Sequence, residues 1–423
     1  MSRLKAVSIA IIATLGVVLL ALNLSSSEKK IDHRIRPITA TGDAGFIRAM
    51  GNLLGPPLID GNRVTLLRNG DEIFPAMLEA IRGAQKTVTF ETYIYWSGQI
   101  GRTFSDALSE RARNGVQVYV LLDWIGTGKM DAGDLDRMRQ AGVQVEKYHP
   151  LRWYTLARLN NRTHRKILVV DGKIGFTGGV GIADKWLGHA QDSEHWRESH
   201  FRVEGPAVAQ MQAAFMDNWL KTHSEVLQGD GFFPPLAPEG DMTAQVFKSS
   251  SREGSESVRL MYLFSIASAR SSIRLSASYF VPDDLSVDSL IEASRRGVSV
   301  EIIVPGDRTD VELTRRASRS RWGVLMEAGV RIYEYQPTMY HCKAMTVDDL
   351  WVSVGSTNFD TRSFRLNDEM NLNVLDREFA NEMAKDFEAD RARSRPVSLQ
   401  DWARRPLLEK ISERAAGLLR SQL

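Results

Sequence analysis

The chain has 423 residues, 43% hydrophobic and 25% charged, which is typical of a folded protein of about two domains and excludes a disordered or fibrous chain. A formal net charge of +2 argues against a protein whose main task is to bind a polyphosphate backbone. The single cysteine, Cys342, excludes an internal disulfide and any metal site built from several cysteines.

The N-terminal segment is the first predicted element. Residues 6–24 are almost wholly apolar and are long enough to cross a bilayer core of about 30 Å as a helix. Arg3 and Lys5 would also suit a signal peptide, but the run is long for a signal core, and residues 21–24 offer no small-x-small cleavage site. The sequence therefore favours an uncleaved membrane anchor over residues 1–28. Basic residues on both sides of the apolar run leave its orientation open.

The body of the chain contains the same helix-and-strand unit twice. The stretches that match are 84–96 with 269–281, 108–122 with 290–304, and 138–150 with 325–337. In the last two pairs a glycine stands where the helix would end and a Val-rich run begins. Strands that alternate with helices in this way predict an α/β fold with a largely parallel sheet.

The stretch 229–241 (GDGFFPPLAPEGD) is rich in Gly and Pro and has no periodicity, which is typical of a linker. It divides the body into a first half, 40–228, and a second half, 242–423. We predict two homologous α/β sandwich domains packed as a pseudo-dimer and preceded by a transmembrane helix. A site at their junction would take one equivalent group from each half.

Each half ends in the same short motif, a histidine and a lysine two positions apart, then an aspartate, then a glycine turn. The residues are His164, Lys166, Asp171, Gly178 and Gly179 in the first half, and His341, Lys343, Asp348, Gly355, Ser356 and Asn358 in the second. The β-rich composition predicts strands, on which each histidine shares a face with its lysine. The candidate catalytic set comprises both histidines, both lysines and both aspartates. The odd offset of the aspartates nevertheless favours a role as structural anchors of the strand ends.

This pattern suits chemistry at a phosphodiester. A neutral imidazole can attack phosphorus while the neighbouring ammonium holds a phosphoryl oxygen, and a protonated second imidazole can donate to the leaving alkoxide. Backbone amides of the glycine turns, with Ser356 and Asn358 as side-chain donors, would bind the phosphate. Because lysines and amides supply the positive field, we predict no metal and no other cofactor. Gly181 stands where the second half has Asn358, which predicts an asymmetric site.

The paired motifs resemble the signature of the phospholipase D superfamily, and the surrounding sequence resembles bacterial cardiolipin synthases over roughly residues 40–423. The stretches that carry the second resemblance are FETYIYWSGQIG (90–101), NRTHRKILVVDGKIGFTGG (161–179), WRESHFRVEGPAV (196–208) and GSTNFDTRSFRLNDEMN (355–371). The resemblance implies a phosphatidyltransferase of the bacterial inner membrane. It would pass a phosphatidyl group through a phosphohistidine from one phospholipid, expected to be phosphatidylglycerol, to the hydroxyl of another.

The resemblance also implies roles for individual residues. His164 would be the nucleophile and His341 the proton donor, although the pseudo-symmetry allows the reverse assignment. Glu198 follows the first motif and Glu369 the second, and an acidic residue at these places would orient an imidazole from behind.

Three activities stay open: phosphatidyl transfer, hydrolysis through the same intermediate by a phospholipase D or phosphodiesterase, and nuclease activity. A site that excludes water favours phosphatidyl transfer, whereas an open site allows hydrolysis. The membrane anchor and the near-neutral charge argue against nucleic acid as a partner. The expected partners are therefore phospholipids and the membrane, and the sequence identifies no protein partner.

Other features have two interpretations each. Tyr93, Tyr95 and Trp96 are expected to pack in the core, with a lipid channel as the alternative. The residues His189, His195 and His200 have no metal-ligand spacing, which favours a surface loop. A final amphipathic helix over residues 399–419 is expected to dock on the second half, with interfacial membrane contact as the alternative.

Overall fold

The computed structural model describes residues 3–24, 31, 33–36, 39–151, 160–250 and 256–423. Within these residues one helix, α1 (Arg3–Leu24), is long and apolar enough to cross a membrane. Its window Lys5–Leu22 has a mean hydropathy of 2.4, and none of that window is buried against the rest of the chain. The predicted apolar helix is therefore confirmed, while residues 25–28 of the predicted anchor lie outside the described residues.

The remaining helices and the strands follow in chain order. The helices are α2 (Ala44–Leu54), α3 (Asn69–Gly83), α4 (Gln99–Arg113), α5 (Ala132–Gln140), α6 (Val208–His223), α7 (Ser257–Ser268), α8 (Asp284–Arg295), α9 (Glu312–Arg319), α10 (Trp322–Glu327), α11 (Thr361–Arg365), α12 (Arg377–Ala392), α13 (Leu399–Arg404) and α14 (Leu407–Gly417). The strands are β1 (Ile59–Arg68), β2 (Thr87–Thr92), β3 (Gln117–Asp123), β4 (Gln144–Tyr148), β5 (Ile167–Val170), β6 (Ile174–Gly178), β7 (Ser199–Glu204), β8 (Met242–Ser249), β9 (Ser272–Ala277), β10 (Phe280–Val281), β11 (Ser299–Pro305), β12 (Arg331–Tyr335), β13 (Lys343–Val347), β14 (Trp351–Gly355), β15 (Phe359–Asp360), β16 (Glu369–Leu375) and β17 (Ser394–Pro396).

One continuous sheet runs through both halves. Strands β1 and β8 pair antiparallel near its middle and join the halves. From β1 the order is β7-β6-β5-β2-β3-β4, and from β8 it is β16-β14-β13-β9-β11-β12, with β17 at the edge. The two series place equivalent strands in equivalent order, so the repeat that the sequence predicts is a structural repeat as well.

The expectation of a largely parallel sheet is wrong. In the described part of this sheet the parallel pairs are confined to β2-β3-β4 and β9-β11-β12, where a helix intervenes between successive strands. The motif strands β5 and β13 pair antiparallel with both of their neighbours. Each is joined to the following strand by a short turn, and such a turn requires an antiparallel pair.

The predicted boundary of the first half at residue 40 also needs correction. That boundary places α2 in the first half, but α2 packs into the core of the second. Phe46 stacks on Phe264 with ring centroids 5.0 Å apart and meets Trp351 edge-on at 5.1 Å. The reason is that Phe46, Met50 and Leu54 form an apolar stripe at helical spacing, and this stripe is buried in that core.

Two further expectations concern loops and the C-terminus. Residues 229–241 contain neither helix nor strand, and their role as a linker stays a prediction. The predicted final helix is two helices, α13 and α14, with Pro406 at the break. Proline lacks the amide hydrogen that a continuous helix requires and clashes with the preceding turn.

Candidate active site

The two histidine motifs meet in one cavity of about 670 Å³. The prediction that both histidines lie on strands is wrong, because β5 begins at Ile167 and β13 at Lys343. His164 and His341 lie just before these strands and line the cavity together with Lys166. Burial and the charge of Lys343 lower the pKa of His341, and the charges of Lys166 and His164 add to this shift. The structure therefore brings one equivalent group from each half to a single site.

Each histidine is held by the other half of the chain through its backbone. The amide of His164 donates to the carbonyl oxygen of Asp368 at 2.8 Å, and the amide of His341 donates to that of Arg197 at 2.8 Å. Asp368 and Arg197 immediately precede Glu369 and Glu198. The backbone contacts thus place each histidine beside the carboxylate of the opposite half.

The side chains continue this crossed arrangement. Nδ1 of His164 lies 3.0 Å from both carboxylate oxygens of Glu369, and Nδ1 of His341 lies 2.5 Å from Oε2 of Glu198. Both carboxylates are fully buried. The predicted carboxylate–imidazole contacts are present, and they pair the first histidine with the second acid and the reverse. With Nδ1 on a carboxylate, Nε2 is the ring nitrogen of His164 available to a ligand. Nε2 of His341 also lies 3.3 Å from Nζ of Lys343.

Both lysines are buried and bonded to their own motif. Nζ of Lys166 donates to the carbonyl oxygen of His164 at 2.8 Å, and Nζ of Lys343 to that of His341 at 2.7 Å. Burial lowers the pKa of Lys166 to about 7, although the charge of Glu369 opposes this shift. Burial also lowers the pKa of Lys343, against the charge of Glu198. Ammonium groups without a full water shell attract an incoming phosphate strongly.

Burial sets the charge of the histidines. It lowers the pKa of His164 to about 4, with Glu369 opposing and Lys166 reinforcing the shift. Burial, followed by the charge of Lys343, lowers the pKa of His341 well below its ordinary value. Both imidazoles are therefore neutral near pH 7.

The two carboxylates differ in their pKa shifts. Burial alone would raise the pKa of Glu369, but its contacts with His164, Lys166 and Ser356 outweigh burial and hold the pKa below the ordinary value. For Glu198 burial dominates and raises the pKa, in spite of Lys343 and a backbone amide. Glu369 is therefore the more firmly ionised of the two.

Ser356 was expected to bind phosphate, and the structure corrects this. Its hydroxyl donates to Oε2 of Glu369 at 2.5 Å, and the residue is fully buried. The hydroxyl is directed at Glu369 because Ser356 begins the turn after β14, beside β16, which carries that carboxylate. Ser356 therefore holds the carboxylate behind His164.

Gly178 and Gly179 leave room for buried groups. A Cβ atom on Gly179 would lie 2.4 Å from Oε2 of Glu198, and one on Gly178 would lie 2.4 Å from Nδ1 of His200. Gly179 also lines the cavity, so its backbone borders the ligand space. These two glycines are required first for close packing behind His341.

The expected asymmetry between Asn358 and Gly181 is present and has a steric cause. Asn358 lines the cavity, and its Oδ1 is among the buried oxygens that have no hydrogen-bond partner within the described residues. A Cβ atom on Gly181 would lie 2.9 Å from Ile94 and 3.0 Å from Trp186. The ring of Trp186 meets that of His341 edge-on at 5.3 Å. The first half therefore has an aromatic wall where the second has an amide.

Asp171 and Asp348 lie away from the cavity, and their inclusion in the catalytic set is corrected. Asp171 accepts hydrogen bonds from the backbone amides of residues 85–87, and Asp348 accepts them from those of residues 270–272. These contacts tie the turn after each motif strand to the start of the neighbouring strand. They confirm the anchoring role that the odd offset predicts.

The sequence patterns did not predict that Arg165 and Trp196 belong to the site. Arg165 is fully buried and donates to Asp217 at 3.0 Å and to the carbonyl oxygen of Glu369 at 3.2 Å. Its place between His164 and Lys166 in the sequence was the available signal. Trp196, next to Arg197 and Glu198 in the sequence, packs against His341 at 5.4 Å.

Some of the aromatic residues and histidines noted in the sequence line the cavity, and others pack in the core. Tyr93 meets His164 edge-on at 5.3 Å and, like Trp96, lines the cavity. Tyr95 packs in the core, where its hydroxyl bonds the Gly101 carbonyl and Ser105. The expected surface loop is wrong for His200, which is buried on β7.

Comparisons with known proteins agree with this geometry. A family model described as "Cardiolipin synthase, PLD-like domain" matches residues 77–219 and 262–391. Cardiolipin synthase A of Pseudomonas syringae is 33% identical over 379 residues, which is 88% of this chain and 78% of that protein. A probable cardiolipin synthase of Bacillus subtilis is 34% identical over 359 residues, 84% of this chain and 71% of that protein. The crystal structure of phosphatidylserine synthase from Haemophilus influenzae aligns with a TM-score of 0.70 at 15% identity, over 89% of this chain and 99% of that one. This last likeness supports the fold alone.

Proposed function

Because the chain belongs to the cardiolipin synthase family of phospholipase D-like proteins, we propose that it joins two molecules of phosphatidylglycerol by phosphatidyl transfer. The chain is a phosphatidyltransferase that acts on phospholipids. One observation carries the proposal: two imidazoles, each backed by a carboxylate from the other half, line a single cavity. Such a pair can supply both a nucleophile and a proton donor to one phosphorus atom.

In the first step Nε2 of His164 attacks the phosphorus of the donor lipid. A P–N bond forms, the P–O bond to the headgroup glycerol breaks, and the leaving oxygen takes a proton from His341. Bound phosphate favours protonation of His341, because a nearby anion raises the pKa of an imidazole. Lys166 and Lys343 stabilise charge on the phosphoryl oxygens as the bond order changes.

In the second step the acceptor replaces the released glycerol. Its terminal hydroxyl gives a proton to His341, and its oxygen attacks phosphorus. The P–N bond breaks, cardiolipin forms, and His164 is free again. Because the proton that His341 loses in the first step returns in the second, the cycle requires no additional acid or base.

The carboxylates support assigning attack to His164. Phosphorylation at Nε2 leaves a positively charged ring whose Nδ1–H needs an anion behind it. Glu369 fits this need, since His164, Lys166 and Ser356 hold its pKa below the ordinary value. The pKa of Glu198 is raised by burial, so Glu198 is the weaker anion and suits the proton-shuttling His341.

The walls of the cavity favour transfer over hydrolysis. Trp186 and Trp196 cover one side of His341, and Tyr93 contacts His164. The apolar faces of these rings hold an ordered water beside the phosphohistidine poorly, whereas a lipid glycerol can enter from the open side.

We further propose that α1 is a single-pass anchor in the inner, cytoplasmic membrane of a bacterium. The support is an apolar helix of sufficient length with no part of its 18-residue window buried against the body. The phospholipid substrates lie in the same bilayer, so the anchor keeps the catalytic body at their surface.

The test is a product analysis. Detergent-solubilised protein is incubated with phosphatidylglycerol that carries a radiolabel in the headgroup glycerol, and lipids and free glycerol are quantified. We expect cardiolipin and glycerol in equal amounts, unaffected by a chelator. Phosphatidic acid as the main product would identify a phospholipase, and cleaved oligonucleotide with intact lipid would identify a nuclease.

A further inference from the structure

Helix α14 turns its apolar face away from the protein body. The side chains on this outward face are Leu407, Leu408, Ile411, Leu418 and Leu419, which range from 50% exposed at Leu419 to 83% exposed at Leu418. Helical spacing places them on one side of the helix and the short turn that continues it. Five large apolar side chains in one exposed strip mark an interaction surface.

The helix is attached to the body by its other side. Glu413 is buried and accepts hydrogen bonds from Arg319 at 2.7 Å and Arg405 at 2.9 Å. Ala416 is buried on the same side. Because charged contacts hold α14 in place, the outward face is not needed to dock the helix on the second half.

The chain that follows α14 reaches the catalytic cavity. Gln422 and Leu423 line that cavity, and Arg362 holds them by donating to their carbonyl oxygens at 3.2 Å and 3.1 Å. Exposed Ile125 and Val311, from the two halves, line the same cavity. The C-terminal segment and the cavity mouth therefore form one partly apolar region.

The membrane anchor ends near this region. Ile31 and Arg34, which follow α1, line one cleft together with Arg420 and Ser421 of the C-terminal turn. Seven residue steps separate Leu24 from Ile31, and a fully extended chain of that length spans at most about 25 Å. The end of the helix that enters the bilayer therefore lies within that reach of the cleft.

We propose that the outward face of α14 docks on an anionic lipid bilayer and holds the cavity mouth against the leaflet that α1 enters. Apolar side chains would insert at the level of the headgroups, and Lys410 and Arg414, which flank the strip, would attract anionic phosphates. This inference deepens the proposed function, because it states how the lipid substrates reach the cavity, but the docking itself rests on α14 and the anchor.

Direct contact with lipid is measured on the full chain in vesicles of phosphatidylglycerol and phosphatidylethanolamine. Leu408→Cys and Leu418→Cys are labelled with an environment-sensitive fluorophore, with Lys173→Cys at an exposed turn as the control. Native Cys342 is buried and so reacts poorly. We expect nitroxide-labelled lipids to quench the two C-terminal labels at least about twofold more than the control. Equal quenching at all three positions would overturn the proposal.

The activity test uses the triple variant Leu408→Glu/Ile411→Glu/Leu418→Glu, with Val226→Glu as a matched change at a 61% exposed apolar residue elsewhere. We expect the triple variant to lose about tenfold in rate on vesicles but not in detergent micelles, where docking is unnecessary. Unchanged rates of the triple variant on vesicles would overturn docking on the bilayer. A change in label fluorescence that depends on protein concentration in the absence of lipid would also overturn it, and would identify a second copy of the chain as the occupant. Quenched labels without any phosphatidyl transfer would leave the docking intact and contradict the proposed function.

Discussion

The two halves present the same motif but surround their histidines differently. His164 is backed by Glu369, which also accepts hydrogen bonds from Ser356 and Asn367. His341 is backed by Glu198, which among the described residues accepts one further side-chain hydrogen bond, from the amide of Ser199. A duplicated motif therefore need not give two equal catalysts. Burial acts to raise the pKa of both carboxylates, but only at Glu369 do the contacts with His164, Lys166 and Ser356 outweigh it. This difference supports the separate roles that we propose for the two imidazoles.

The difference extends to the walls of the cavity. Asn358 offers a polar group on the second-half side, whereas Gly181 makes space for Trp186 on the first-half side. The wall with the tryptophan covers His341, which is the imidazole that we assign to proton transfer. The two sides of the cavity therefore differ, with a polar amide on the second-half side and apolar rings on the first-half side.

The largest effect is expected from removing either histidine. His164→Ala and His341→Ala should each lower phosphatidyl transfer by at least about 10⁴-fold, because the nucleophile and the acid act as one unit. A donor with a p-nitrophenol leaving group, which needs no proton, separates the roles. With this donor His341→Ala should still form a phosphohistidine, detected by mass spectrometry of the quenched protein, and His164→Ala should form none.

His189→Ala is the control for both variants, since His189 is exposed and lies outside the motif strands. It should keep full activity. If the covalent adduct appears in His164→Ala but not in His341→Ala, the roles of the two halves are reversed.

The next largest effect tests the crossed carboxylates. Glu369→Gln and Glu198→Gln should each lower kcat by roughly 10²-fold to 10³-fold, because an amide cannot stabilise a positively charged ring. Glu369→Gln should resemble loss of His164, with slow adduct formation from either donor. Glu198→Gln should resemble loss of His341 and recover with the p-nitrophenol donor. The opposite pattern would contradict the pairing across the halves.

A smaller effect is expected from changing Gly179 and Ser356, which occupy equivalent positions in the two halves. Gly179→Ala forces a methyl group to within 2.4 Å of Glu198, so we expect about a tenfold loss of activity and a lower melting temperature. Ser356→Ala removes one hydroxyl from Glu369 and should cost activity only about threefold to tenfold. Kinetics and thermal unfolding of both variants check this order. Full activity and an unchanged melting temperature in Gly179→Ala would show that the glycine is not needed for space.

The smallest effect concerns the pH at which kcat/KM falls on the alkaline side of its pH profile, here called the alkaline limb. With the p-nitrophenol donor, which takes no proton from His341, the free enzyme needs neutral His164, with a pKa of about 4, and charged Lys166, with a pKa of about 7. The value of kcat/KM should therefore rise with pH through about 4 and fall as pH increases through about 7. Lys166→Arg should move the alkaline limb upward, because a guanidinium stays charged. Lys173→Arg is the control, and an unmoved limb in Lys166→Arg would assign that titration to another group.

The sequence predicted much of the site because its signals are local. A strand places alternate residues on opposite faces, so the spacing alone groups His164 with Lys166 and sets Asp171 apart. The repeat of helix-to-strand passages predicted two equivalent halves for the same reason. The direction of β5 and the place of α2 were predicted wrongly, since they depend on the strand and core that each meets.

What the sequence by itself determined is the content of the site: two histidines, two lysines, two acids and an apolar helix that can cross a membrane. Only the tertiary structure decided how these groups are paired. Glu369 lies 205 residues from His164 and Glu198 lies 143 residues from His341, and neither distance along the chain favours the crossed arrangement over the direct one. The pairing follows from the antiparallel contact of β1 with β8 and from the backbone hydrogen bonds of His164 to Asp368 and of His341 to Arg197. Such long-range contacts depend on the shape of the whole fold, which no local pattern of residues records.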